Sequence, residues 1–256
     1  MSGPAAIAAD LAAHGFCRVP AVALRGLVGA RALTGWATFA ASWDGLEVDT
    51  HMADGGRYRR RRYASFDLTG PTMTRRPHQP HYQSRTYNEL NGGVDRWFAP
   101  VTDAVAAHPF LAALLARCAE TFAAAAGAPP ASARWLVEMH QFRIEADPEH
   151  AGLPTPEGMH RDGVDWVAVC LVGRTNVAGG ATAVADDAGR SLGSFTLADP
   201  LDTVVLDDHR VYHGVTPVRP QDSAVPACRD VLVLTFRAAP AARFESAASI
   251  DLLAPP

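Results

Sequence analysis

Hydrophobic residues recur at helical spacing in three stretches of the first half of the chain. Residues 5–13 and roughly 21–42 are rich in alanine and leucine at that spacing, and the short apolar run 16–20 between them is typical of a strand. The third stretch, 102–126, begins with Thr102, whose hydroxyl can cap a helix, and is followed by a glycine and two prolines. The pattern predicts helix, strand and helix, and then one long helix before the midpoint.

Residues 51–100 show no regular period between these helical stretches. They are rich in Arg, Gly, Pro, Tyr and His, and they include the segment YNELNGGVDRWF at 87–98. This composition predicts long ordered loops with short strands, and such loops often carry functional residues. The segment 87–98 is interpreted either as part of a substrate lid or as a structural loop.

After Pro130 the pattern changes to short runs rich in β-branched and aromatic residues, separated by turn residues. These runs are RWLVEMHQFRI, VDWVAVCLV, ATAVA, SLGSFTL, DTVVLDD, GVTPV and RDVLVLTFRA. No helical stretch long enough for a crossover separates them, which argues against a parallel sheet. The pattern predicts a mainly β fold with flanking helices (α+β), in which an antiparallel barrel or jelly roll has helices packed outside.

The length and composition favour one domain. With 256 residues, 48% of them hydrophobic, the chain can bury a sizeable core. We expect residues 1–130 to form a helical and loop-rich support, 131–240 the jelly-roll core and 241–256 a C-terminal tail.

Charge and cysteine usage limit the partners and the compartment. The net charge is −4, and the one basic cluster, RYRRRRY at 57–63, interleaves with tyrosines, so nucleic-acid binding is disfavoured. This cluster is interpreted as an arginine-rich strand or loop that is either solvated or faces an anionic small molecule.

Four cysteines lie scattered without a C-x-x-C pair, which favours a reducing cytoplasm. The N-terminus lacks a basic leader, and no apolar run of about twenty residues predicts a membrane span.

His160 and Asp162 are the first candidate metal ligands. They lie two residues apart in PTPEGMHRDGVDWV, and on a strand such residues point to the same face. His213 is favoured as the second histidine over His209, because His209 lies in the polar turn LDDHR whereas His213 precedes a return to apolar alternation. Two histidines and one carboxylate leave coordination positions open, which suits non-haem Fe(II) better than zinc.

Arg229 is the candidate anchor for a co-substrate. It begins the strand RDVLVLTFR, where a guanidinium at a barrel mouth can hold a carboxylate through two parallel hydrogen bonds. The alternative is an ordinary surface arginine at a strand start. Arg237 lies eight residues further along, about 26 Å at the rise of a strand, so we expect that both arginines cannot serve one small molecule.

Five segments, HQFRI, PTPEGMHRDGVDWV, GRTNVAGGAT, LDDHRVYHGVTPV and RDVLVLTF, occur in this order. Together they resemble the bacterial Fe(II)/2-oxoglutarate dioxygenases that hydroxylate free L-amino acids such as isoleucine. The resemblance covers about residues 57–238 and is strongest in the second segment. It implies a double-stranded β-helix, a cupin-like jelly roll, with Fe(II), 2-oxoglutarate and O₂ as cofactors.

The resemblance also implies roles for individual residues. It makes His160, Asp162 and His213 the iron ligands and Arg229 the partner of the distal carboxylate of 2-oxoglutarate. It also implies that Thr182 lies near the co-substrate and that Asn176 orients a loop at the site. Many relatives carry a glutamate where Ala181 stands here, which affects the expected local contacts more than the iron site.

A free amino acid as substrate needs a cationic group for its carboxylate, an acceptor for its ammonium group and an apolar pocket. Arg143 and Arg57 are the candidate cations, Asp165 is the candidate acceptor and Trp166 is the candidate pocket wall. Each also has a structural interpretation, as a solvated strand residue, a turn residue or part of the core.

Three other functions remain open at the level of sequence. The protein could be an oxygenase of the same fold acting on a different small molecule, such as a peptide, a carrier-bound residue or a secondary metabolite. It could be a noncatalytic regulatory protein that binds 2-oxoglutarate or a metal, or a cupin-type isomerase or dioxygenase. Stoichiometric formation of succinate would distinguish the first from the other two.

Overall fold

A large antiparallel sheet forms the frame of the structure, a computed structural model that describes residues 3–239 and the strand residues 250–251. The strands are β1 (Phe16–Val19), β2 (Glu47–Val48), β3 (Arg59–Thr69), β4 (Thr72–Arg75), β5 (Arg134–Ala146), β6 (Trp166–Thr175), β7 (Val177–Gly179), β8 (Ala181–Ala185), β9 (Ser191–Thr196), β10 (Thr203–Asp207), β11 (Tyr212–Val215), β12 (Val218–Pro220), β13 (Ala227–Ala238) and β14 (Ile250–Asp251).

The strands pair into one large and two small antiparallel sheets within the described residues. The large sheet has the order β1-β10-β6-β13-β5-β3-β4-β14, with β2 beside β3. The small sheets have the orders β11-β8-β9 and β12-β7. This arrangement confirms the predicted mainly β jelly roll with helices. Six of the seven runs after Pro130 each fall on one strand, whereas GVTPV spans the end of β11 and the start of β12.

The two faces of the large sheet have different partners. Because side chains alternate along a strand, Val137 and Met139 of β5 join Phe236 of β13 in a core beneath the helices. Val167 of β6 and Val231 of β13 belong to a second core with residues of the small sheets. The face that carries Val231 also lines a cavity at one end of this second core.

The α-helices are α1 (Pro4–His14), α2 (Ala21–Val28), α3 (Trp36–Ala41), α4 (Asp103–Ala106) and α5 (Pro109–Ala125). The predicted helix at 21–42 is divided, because Gly29 and Gly35 have φ of +80° and +79°, a conformation that ends α-helices. The first predicted helix and the strand at 16–20 are present as α1 and β1. None of the helices within residues 3–239 is long and apolar enough to cross a membrane.

The single long helix predicted at 102–126 is also wrong. Thr102 caps only α4, since its Oγ1 accepts a hydrogen bond from the backbone N–H of Val105 at 3.4 Å. Pro109 then disfavours helical conformation at His108, and the ring of His108 accepts from the N–H of Phe110 to cap α5. The break lets α5 start in a new direction and pack on the large sheet.

The largest departure from prediction is β3, which lies inside a region expected to be loops with short strands. Its eleven residues pair with β5 over their whole length. Arg59 and Arg61 face the cavity and are buried, whereas Arg60 and Arg62 project from the opposite face. Because arginine stands at the buried positions of β3, the strand lacks the alternation of hydrophobic and polar residues that identifies a strand in a sequence.

Of the predicted tail, 241–256, only 250–251 lie within the described residues.

We expect Phe122→Ala to lower the free energy of unfolding by about 3–5 kcal/mol. The ring of Phe122 is 0% exposed, stacks on Trp166 at 5.4 Å and meets Phe236 edge to face at 5.0 Å. Urea unfolding followed by circular dichroism measures the change. Val22→Ala, at a side chain 79% exposed, is the control and should change stability by less than about 0.5 kcal/mol. Equal effects of the two substitutions would contradict this assignment of the core.

Candidate metal centre and active-site cavity

His160, Asp162 and His213 converge at one end of the cavity. His160 and His213 form an isolated backbone bridge, in which each N–H donates to the other's carbonyl oxygen at 2.9 Å. One donor atom from each of the three side chains lies within 4.8 Å of the others. Neither His160 nor Asp162 lies in a regular strand, so the predicted strand geometry is wrong although the convergence is present.

The ring orientations leave one nitrogen of each histidine directed at the carboxylate. His160 Nδ1 donates to the Gly158 carbonyl at 3.1 Å, which leaves Nε2 at 3.7 Å from Asp162 Oδ1. His213 Nε2 lies 3.7 Å from Asp162 Oδ2. Two imidazole nitrogens and a carboxylate oxygen on one point form a donor set that fits a divalent transition metal with open positions.

The protonation behaviour of the three groups is that of one coupled site. Burial lowers the pKa of His160, but the adjacent Asp162 carboxylate outweighs it and raises the pKa to about 9. Burial, followed by the charge on His160, lowers the pKa of His213 to about 4. Burial raises the pKa of Asp162, yet the two histidines outweigh it and hold that pKa well below its usual range. A divalent cation would take the place of the proton on His160.

Asp208 holds the backbone that carries Asp162. Its carboxylate accepts hydrogen bonds from the N–H groups of Asp162, Gly163 and Val164 at 3.0, 2.7 and 3.0 Å. Gln83 donates to the Asp162 carbonyl oxygen at 3.1 Å. Sequence reasoning missed Asp208, because an aspartate in LDDHR has the ordinary composition of a turn.

Arg229 lies on the cavity wall formed by β13. It is 2% exposed, and its Nε and Nη2 have no hydrogen-bond partner within the described part of the chain. Burial, followed by the positive charge of Arg174, lowers its pKa to about 10. A buried guanidinium with free donors is suited to an anionic ligand.

Arg237 lines the same cavity as Arg229, although its separation from Arg229 along the strand predicted that the two could not serve one small molecule. Its Nη2 donates to the Gly163 carbonyl at 3.1 Å, and its Nη1 lies 3.5 Å from a carboxylate oxygen of Glu138. The guanidinium of Arg237 is thus already paired with groups of the protein, whereas Nε and Nη2 of Arg229 have no partner within the described residues.

A second cationic wall consists of Arg59, Arg61 and Arg96, which all line the cavity and are buried. Arg59 pairs with Asp49 through Nε and Nη2 at 2.8 and 2.7 Å, and Arg61 Nη1 lies 3.6 Å from the same carboxylate. The Arg61 guanidinium lies over the rings of Phe98 and Phe142, at 3.6 and 4.5 Å from their centroids. One carboxylate therefore lies within 4.0 Å of two of the three guanidinium groups.

Two buried histidines, His81 and His140, accept hydrogen bonds from the arginines of this cationic wall. Arg61 Nη2 donates to His140 Nδ1 at 2.7 Å, and Arg96 Nη2 donates to His81 Nδ1 at 3.0 Å. Because arginine only donates, both histidines accept on Nδ1 and carry their proton on Nε2. Burial and the neighbouring arginines lower the pKa of both rings, so both stay neutral near pH 7.

The structure does not bring Arg143, Trp166 or Arg57 to the cavity. Arg143 and Trp166 face the helices: Arg143 Nε and Nη2 bind Asp230 at 2.7 Å each, and Trp166 stacks on Phe122. Arg57 is exposed before β3, two residues from the buried Arg59. The sequence thus identified the basic cluster, and the register of the strand determines which of its arginines face inward.

Three other predicted residues also lie outside the cavity lining. Asp165 accepts from the ring of His209 at 2.9 Å and from the N–H of Ala238 at 2.6 Å. Asn176 has φ of 54° in the turn between β6 and β7 and donates to the Asp222 carbonyl at 2.8 Å. Thr182 is buried on β8, opposite Val215.

We expect Asp208→Ala to destabilise the protein by about 3 kcal/mol, because three N–H groups that are buried or partly buried lose their acceptor. Asp208 is 2% exposed. Asp199→Ala, an exposed aspartate in the β9–β10 connection, is the matched control, and urea unfolding compares the two variants. A loss for Asp208→Ala no greater than that of the control would show that this carboxylate does not hold the loop.

Comparison with known proteins places this site in a family. A sequence model described as 2OG-Fe dioxygenase matches residues 40–235. The L-isoleucine-4-hydroxylase of Bacillus thuringiensis is 29% identical over 157 residues, which make up 61% of this chain and 64% of that protein. The 3(1)-hydroxy-L-isoleucine 4-dioxygenase of Pantoea ananatis (strain AJ13355) is 24% identical over 159 residues, 62% of this chain and 64% of that one.

A solved structure is similar over most of the chain. The crystal structure of a bsmA homologue from Methylobium petroleophilum PM1 has a TM-score of 0.81 and 43% identity, and the match covers 92% of this chain and 93% of that one. The matches to the two hydroxylases span less than two thirds of their length. The family implies the predicted cofactors, Fe(II), 2-oxoglutarate and O₂. These findings confirm the resemblance noted in the sequence: the chain belongs to the 2OG-Fe dioxygenase family.

Proposed function

We propose that this protein is an Fe(II)/2-oxoglutarate-dependent dioxygenase that oxidises a free L-amino acid, by hydroxylation or sulfoxidation. The reaction is coupled to decarboxylation of 2-oxoglutarate to succinate and CO₂. One observation carries the proposal: the three converging donors of His160, Asp162 and His213 share a cavity with the unpartnered guanidinium of Arg229. The two relatives named as isoleucine oxygenases support the class of substrate.

In this proposal, His160 Nε2, a carboxylate oxygen of Asp162 and His213 Nε2 hold the iron. Bound iron supplies the activation of O₂ that couples oxidation of 2-oxoglutarate to oxidation of the substrate. Asp208 and Gln83 fix the backbone at Asp162, so the carboxylate is in place before the metal arrives. The protein binds the iron, positions the reactants and excludes water, and it does not need to supply an acid or a base.

Arg229 binds the distal carboxylate of 2-oxoglutarate. Its Nε and Nη2 are buried without a partner in the described residues, and two such donors match the two oxygens of a carboxylate. The neighbouring Val231 and Val233 extend the same face of β13 along the cavity. Charge pairing in this apolar surrounding is stronger than it would be in water.

The cationic wall of Arg59, Arg61 and Arg96 binds the α-carboxylate of the amino acid. Asp49 neutralises one of these three charges, so the wall keeps an excess of positive charge that favours a substrate anion. The stacking of Arg61 between Phe98 and Phe142 keeps its guanidinium in one orientation. These residues take the role that the sequence analysis gave to Arg57 and Arg143.

We also propose a cytoplasmic location and a single-domain organisation. The cysteines of the chain, Cys17, Cys118, Cys170 and Cys228, are all free thiols, as in a reducing compartment. The N-terminal helices share one hydrophobic core with the large sheet, which favours one cooperative unit.

We expect the Fe(II)-loaded protein to release succinate from 2-oxoglutarate when air is admitted, with stimulation by particular aliphatic or thioether L-amino acids. His160→Ala should abolish this release because it removes a metal ligand. His209→Ala, at a histidine whose side chain is 69% exposed, is the matched control and should retain it. Loss of activity in the His209 variant but not in the His160 variant would contradict the ligand assignment.

We expect Arg229→Leu to raise the KM for 2-oxoglutarate by about 100-fold, because the distal carboxylate loses a buried charged partner. Arg219→Leu, at an exposed arginine of β12, should leave this KM unchanged. Steady-state succinate formation at varied 2-oxoglutarate measures both variants. An unchanged KM in the Arg229 variant would move the co-substrate to another cation of the cavity.

A further inference from the structure

Glu157 is a cavity residue to which neither the metal site nor the co-substrate site assigns a role. It lies three residues before His160 and lines the cavity, and its side chain is 14% exposed. Its Oε1 lies 3.7 Å from His160 Nε2. Its Oε2 is buried and has no hydrogen-bond partner within residues 3–239.

Metal binding would occupy the one side-chain nitrogen that lies within 4.0 Å of Glu157 in the described structure. His160 Nε2 is the nitrogen directed at Asp162, so an iron ion bound there uses the lone pair that faces Glu157. The carboxylate would then be buried without a hydrogen-bonded counter-charge, which is costly in free energy. Such a group requires a cationic ligand that brings its own N–H donors.

The arginines of the cavity do not fill this role. Within the described residues, no guanidinium nitrogen lies within 4.0 Å of a Glu157 oxygen. The arginines that contact other groups are Arg59 and Arg61 with Asp49, Arg96 with His81, and Arg237 with Glu138. Arg96 is near enough to act on Glu157 through its charge but donates no hydrogen bond to it, so the described residues supply no hydrogen-bonded cation for Glu157.

We propose that Glu157 accepts the α-ammonium group of the substrate and so selects 2-amino acids with a free amine. This inference rests on the proposed function. The cationic wall and Glu157 line the same cavity, with opposite charges, as a zwitterion requires. N-acylated amino acids and 2-hydroxy acids, which lack the positive charge, would leave the carboxylate unpaired and bind poorly.

The test compares one accepted L-amino acid with the L-2-hydroxy acid of the same side chain, in the wild type and in Glu157→Gln. We expect the wild type to prefer the amino acid in kcat/KM by about 10- to 100-fold, since a charged hydrogen bond is lost with the hydroxy acid. Glu157→Gln should remove most of that preference. Calorimetric binding of both ligands to the anaerobic Fe(II)/2-oxoglutarate protein provides a readout that does not depend on turnover.

Each outcome has one interpretation. Glu149→Gln, at an exposed glutamate of the segment before the site, is the matched control and should keep the wild-type preference. If Glu157→Gln weakens both ligands by the same factor, the residue has only a structural role and the inference fails. If the wild type oxidises 2-oxoglutarate but no amino acid, both the amino-acid substrate class of the proposed function and the role of Glu157 are wrong. If the amino acid is accepted with no preference over the hydroxy acid, only the assignment of Glu157 fails.

Discussion

The site depends on the pair of backbone hydrogen bonds between His160 and His213. Each is 2.9 Å long, and together they join the segment before β6 to the start of β11, two regions more than fifty residues apart in the chain. The register of this bridge places both imidazoles on one side, with ring centroids 4.5 Å apart. Asp162 reaches the same point only because Asp208 holds the backbone that follows the bridge. Main-chain geometry thus determines where a metal can bind.

The charges of the cavity are arranged by burial as much as by contact. Arg229 lies at one wall with free donors, and the cationic wall of Arg59, Arg61 and Arg96 shares a single carboxylate. Unpaired charges inside a protein are costly, so a site that retains them is built for ligands that supply the opposite charge. In the proposed function, binding of the anionic co-substrate and substrate would offset this cost.

Much of the fold could be predicted from the sequence because hydrophobic alternation after Pro130 is regular, and six of the seven runs predicted there each fall on one strand. The three converging side chains were predictable for a different reason: His213 is followed by Gly214 and alternating apolar residues, whereas His209 lies in a polar turn. The arginines of β3 could not be assigned, since four consecutive arginines have no apolar alternation to show which face is buried. Trp166 and Arg143 were expected to contact the substrate, but they lie on the face of the sheet that packs against the helices. Tertiary packing determines which alternate residues of a strand face the helices, so the sequence alone did not show it.

The alternation along β3 has a consequence for how the site can change over time. Arg59 and Arg61 serve the cavity, while Arg62, on the opposite face, donates to the carbonyl oxygens of Pro100 and Gly45 at 2.9 and 3.1 Å and fastens the surrounding loops. An inserted or deleted codon within this strand would exchange the two faces, so catalysis and scaffold would fail together. Replacement of one side chain disturbs one face of the strand, whereas a change in the length of the arginine run disturbs both faces at once.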